Sequence, residues 1–81
     1  MVNVVLWGAL KPLAGGASSV DIEAADIREL FGKLEDEFPG LKPHLDRGIA
    51  VSINGRIFRD SWGEKIPPDA EVYLLPRIAG G

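Results

Sequence analysis

Residues 2–8 place apolar side chains on both sides of a pleat: Val2, Val4 and Leu6 on one, Val5 and Trp7 on the other. That pattern predicts a strand covered on both faces or lying at an interface. Lys11-Pro12 and Gly15-Gly16 mark a loop. Over residues 18–23, Ser18, Val20 and Ile22 alternate with Ser19, Asp21 and Glu23, the period of a half-buried strand. Two strands joined this way predict a hairpin. From Asp26 the period changes. Ile27, Leu30, Phe31, Leu34 and Phe38 recur at helical spacing, while Arg28, Lys33, Glu35, Asp36 and Glu37 keep to the wet side. Asp26 with Glu29 three positions on has the signature of a capping box, and Pro39-Gly40 ends the helix. Gly32 costs this helix about 1 kcal/mol relative to alanine, and close packing is the one reason the sequence offers for it.

Beyond the helix, residues 41–47 predict a helical turn and residues 49–53 a strand with Val51 and Ile53 inward. Asn54-Gly55 is a tight-turn signal, because both residues tolerate positive φ, and residues 56–59 form the return strand. Residues 60–69 read as loop, stopped by Pro67-Pro68, before a last strand with Val72 and Leu74 inward and Tyr73 and Leu75 outward. One amphipathic helix covers only one face of such a sheet. If the first and last strands are neighbours, Val5, Trp7, Tyr73, Leu75 and Ile57 make an apolar patch on the other face, and such a patch marks a partner surface.

Composition narrows the function. The 81 residues make one domain. With 12 acidic and 9 basic residues, a net charge of -3 and no run of Lys or Arg, nucleic acid is a poor partner. The absence of cysteine excludes disulfides, thiolate metal sites and a cysteine nucleophile, and fits a reducing, cytoplasmic setting. Residues 4–7, the longest apolar run, are too short to span a membrane, and with no basic residue before it the N-terminus reads as a first strand rather than a secretory signal. His44, the only histidine, lacks partners at ligand spacing and reads as a surface or turn residue. Ser18-Ser19 lacks a base, and Gly15-Gly16 lacks the Lys and Ser/Thr of a phosphate loop. Trp62 is either a plug under its loop or a partner contact, with the plug preferred.

The chain stops at Gly80-Gly81, shortly after the last strand. With the order strand, strand, helix, strand, short strand, strand, it resembles the α+β ubiquitin-like β-grasp, and within it the small sulfur carriers of the MoaD/ThiS type. The matching stretches are residues 4–6 followed by an aromatic, Val51-Ser52-Ile53-Asn54-Gly55, Pro68-Asp69-Ala70-Glu71-Val72, and Leu74-Leu75-Pro76 leading to Ile78-Ala79-Gly80-Gly81. The length is nearer the molybdopterin synthase small subunit than the shorter thiamine branch. Arg77 stands where the molybdopterin branch often has a second proline.

The resemblance implies a mixed sheet of four to five strands on one main helix, in a β-grasp body over residues 1–76 with a flexible tail over residues 77–81. It implies that a separate adenylating enzyme activates Gly81 with ATP, that a sulfur donor converts it to a thiocarboxylate, and that the sulfur serves molybdopterin synthesis with the synthase large subunit as partner. Gly80, Trp7, Ile57, Leu75 and Ile78 would contact the partners. No cofactor or metal would belong to this chain. A thiamine-thiazole carrier and a ubiquitin-like protein modifier are the alternatives. The chemistry suits the residues. An ionised carboxylate, with a pKa of about 3.3–3.7, is a poor electrophile and needs activation. Glycines without Cβ let a narrow channel grip the backbone, and the stretch from Arg77 reaches at most about 17 Å.

Overall fold

The computed structural model describes residues 1–47, 49–59 and 61–75. Its strands are β1 (Val2–Val5), β2 (Ser19–Ile22), β3 (Ala50–Ile53), β4 (Arg56–Phe58) and β5 (Glu71–Leu75), and its helices α1 (Ile27–Glu37) and α2 (Lys42–Asp46). The strands form one sheet in the order β2-β1-β5-β3-β4. β1 and β5 are parallel and central, and every other pairing is antiparallel. The first strand is shorter than its apolar run predicts. It ends at Val5, although Leu6 stays buried and its N–H still donates to Ser18 O at 2.9 Å.

The inward residues are those that the periodicity selects. Val2, Val4, Val51, Ile53, Val72 and Leu74 from the sheet meet Ile27, Leu30, Phe31 and Leu34 from α1, all at most 5% exposed. Phe38, at the C-cap, packs on this core half-buried. Gly32 does not pack closely, because a Cβ there would meet nothing within 4 Å.

The start of α1 ties the helix to the loop before β5. The Asp26 carboxylate accepts from Glu29 N at 2.8 Å, as a capping residue should. The reciprocal bond is displaced by one residue: Glu29 Oε1 accepts from Ala25 N, not from the cap itself. The N–H groups of Ile27 and Arg28 donate to the carbonyls of Glu64 and Trp62, so loop backbone satisfies donors that a helix start leaves open. Trp62 stands edge-on to the Phe31 ring with centroids 5.1 Å apart but stays 37% exposed, so it leans on the rim of the core and is not buried as a plug under its loop.

Candidate functional site

With α1 on one side, the sheet's other face is open, and the strand register decides what lies on it. Val5 pairs with Ser19 and with Tyr73, Tyr73 with Ser52, and Ser52 with Ile57. These residues form one row across all the strands, with Ile57 60% and Tyr73 40% exposed. Ser52 lies between these two exposed side chains, and the row is a candidate partner surface. Along the β5 direction, Leu75 stands next to Ala50 on the same face and is half-buried.

Trp7 departs from its expected place in the patch. It lies past the end of β1 and packs against the buried core, so its ring is partly committed to the domain's own packing.

The neighbouring row, toward the start of β5, is polar. Asn3 pairs with Asp21 and Glu71, and its side-chain amide donates to Asp21 Oδ1 at 3.2 Å. Glu71 reaches into the apolar row as well. Its negative charge, and then the hydrogen bond its carboxylate accepts, hold the Tyr73 phenol above its ordinary value, with burial adding less. The folded chain therefore grips this proton more tightly than the unfolded one. The contribution is present at neutral pH and is lost as pH rises through the folded phenol's range. Tyr73 stands on the open face as a neutral hydroxyl. This link between positions two apart on one face was legible only as strand alternation, with no sign that the two side chains meet.

Asn54-Gly55 forms the predicted turn, with φ 48° and 90°. It is also tied to β5: Asn54 N donates to Glu71 O and Asn54 Oδ1 accepts from Glu71 N, both at 3.0 Å. The turn that presents Ile57 is thus fixed to the strand that presents Tyr73.

Gly80, Gly81 and Ile78 lie outside the described residues, as does the expected boundary at residue 76. Their point of departure is defined by Leu75, at the end of a central strand.

No group of three His, Cys, Asp or Glu among the described residues is placed to hold a metal ion, and His44 is half-buried in α2. An open groove of about 430 Å³ lies at the start of β1, between Met1, Glu23, Lys33 and Pro68. Two of its polar side chains are engaged, Lys33 Nζ with Glu23 O and Glu29 Oε1 with Ala25 N. No helix among the described residues is long and apolar enough to cross a membrane.

The model of the ThiS family matches residues 4–81. Among solved structures, a chain of the BexX/CysO complex of Amycolatopsis orientalis is 26% identical, with all of both chains covered and a TM-score of 0.84. A chain in the complex of subunits 1 and 2 of the molybdopterin-converting factor of Helicobacter pylori is 28% identical, covering 99% of this chain and 97% of that one, with a TM-score of 0.71. SAMP1 of Haloferax volcanii, 24% identical over 99% of this chain and 98% of its own, has a TM-score of 0.76 and shares the fold. Among curated proteins, none matches the chain.

Proposed function

This chain belongs to the ThiS family of ubiquitin-like sulfur carriers, and from that premise we propose that it carries sulfur on Gly81 as the small subunit of a molybdopterin synthase. The observation that supports this reading is the position of Gly80-Gly81 in the sequence, six residues at most beyond β5, the central strand whose Tyr73 stands exposed on the open face of the sheet. The 28% identity to a chain of a two-subunit molybdopterin-converting factor supports the molybdopterin branch.

In this reading the chain supplies a handle and an acyl terminus, and the catalytic groups belong to its partners. An adenylating enzyme joins the Gly81 carboxylate to the α-phosphate of ATP and releases pyrophosphate. Hydrosulfide supplied by a sulfur donor then attacks the glycyl carbonyl carbon, AMP leaves, and loss of the S–H proton leaves a thiocarboxylate. Gly80 passes the channel without a side chain. Ile57, Tyr73 and Leu75 hold the body at the channel mouth, with Trp7 and Ile78 as further contacts. The synthase large subunit then takes the sulfur.

Deleting the gene tests the branch. Loss of molybdenum-enzyme activity, restored by the full chain and not by a chain lacking Gly81, is the expected result. Loss of thiamine synthesis instead moves the assignment to the thiazole branch. A modifier uses the same terminus to acylate lysines, and a ladder of conjugates on immunoblots of the source cells would favour that second reading.

A further inference from the structure

The Asn54-Gly55 turn carries a chemistry of its own. An asparagine followed by glycine can cyclise through its carboxamide, because no Cβ crowds the nitrogen that attacks. Here both residues are exposed, and a Cβ built on Gly55 would meet nothing within 4 Å. Gly55 N has no hydrogen bond among the described residues. The nucleophile is therefore open, but the electrophile is held. The Asn54 carboxamide is tied to β5, where its Oδ1 accepts from Glu71 N at 3.0 Å, and Asn54 N donates to Glu71 O at the same distance. These two bonds join the turn to a residue 17 positions away in sequence, so a tertiary contact restrains the reactive pair.

We propose that Asn54 is a site of spontaneous deamidation to isoaspartate, and that its two bonds to β5 hold the reaction back while the sheet is closed. The inference goes beyond the sulfur-carrier reading and needs none of its partners. When the turn parts from β5, hydroxide removes the Gly55 N–H proton and the nitrogen bonds to Asn54 Cγ. The Cγ–Nδ2 bond breaks, Nδ2 takes up a proton and leaves as ammonia, and a succinimide ring remains. Water then opens the ring at either carbonyl. Opening at Cγ gives aspartate on an unchanged backbone. Opening at the Asn54 carbonyl carbon gives isoaspartate, whose main chain runs through Cβ and Cγ and is one atom longer. The new charge alone is tolerated, since an aspartate carboxylate still accepts from Glu71 N. The longer backbone is not, because the turn closes directly on the pairing of Ile53 with Arg56, and Ser52 pairs with Ile57 in the same register. Isoaspartate formation therefore releases β4, and with it the exposed Ile57 of the open face.

The test is peptide mapping of isoaspartate during incubation at mildly alkaline pH, with the chain folded and with the same chain unfolded in guanidinium chloride. Product at Asn54 should form roughly 10–30-fold more slowly in the folded chain, the suppression that two ordinary hydrogen bonds give a local opening. In the unfolded chain Gly55→Ala should slow the reaction, since its Cβ crowds the nitrogen. Equal or faster reaction in the folded chain overturns the protection, and an unfolded chain with no product at Asn54 overturns the site. The structural consequence is read on the purified isoaspartyl chain against Asn54→Asp, which carries the same charge on an ordinary backbone. The isoaspartyl chain should melt at least about 5 °C below Asn54→Asp. Coincident melting temperatures would show that β4 keeps its place and would overturn its release.

Discussion

Gly32 is exposed on α1, and a Cβ added there would meet nothing within 4 Å. Its only effect on the helix is the backbone entropy it loses on folding. Gly32→Ala should therefore raise stability by about 1 kcal/mol, read as a higher urea midpoint with unchanged slope. Asn54 is the opposite case, a residue whose side chain and backbone are both used. It holds φ 48° and gives its Oδ1 to Glu71 N at 3.0 Å. Asn54→Gly keeps the turn and loses the acceptor, so it should cost about 1 kcal/mol. Asn54→Ala also strains the left-handed backbone and should cost about 2–3 kcal/mol. Equal losses in the two variants would show that the hydrogen bond, and not the backbone, governs the turn.

At the scale of elements, α1 depends on a cap that belongs partly to another segment. Asp26 accepts from Glu29 N, while the carbonyls of Glu64 and Trp62 take the N–H groups of Ile27 and Arg28. Asp26→Ala should cost about 1 kcal/mol in chemical denaturation, and not the collapse of the helix, because the loop carbonyls that accept from Ile27 N and Arg28 N remain. The helix itself was legible in the sequence, since one apolar stripe meeting one core produces a clean 3.6-residue period. So was β5, whose alternation and bounds need no other strand. What sequence could not supply was anything set by pairing between distant segments. Val5, Tyr73 and Ile57 share a row only because β1 and β5 are parallel neighbours and β4 is two strands away. The end of β1 was misplaced because Leu6 remains buried after the strand pairing stops, and Trp7 turns to the core for the same reason. The open space at Gly32 is not legible either, because a glycine in a helix has no local signature that separates a crowded site from an empty one.

At the scale of the molecule, the account separates folding from docking. The buried face holds the domain together, and the exposed row has no role in that core. Ile57→Asp should leave the melting temperature nearly unchanged and weaken binding to the adenylating enzyme at least about tenfold, as for a residue near an interface centre. A large loss of stability would place Ile57 in the fold instead.

The central claim is that the carboxyl carbon of Gly81 carries sulfur. Intact-mass spectrometry after incubation with the cognate adenylating enzyme, ATP and a sulfur donor measures this directly. The predicted result is a gain equal to sulfur replacing oxygen, localised to the C-terminal peptide and absent when Gly81 is deleted from a folded chain. An unchanged mass, with an enzyme shown to load a known carrier of the family, would contradict it.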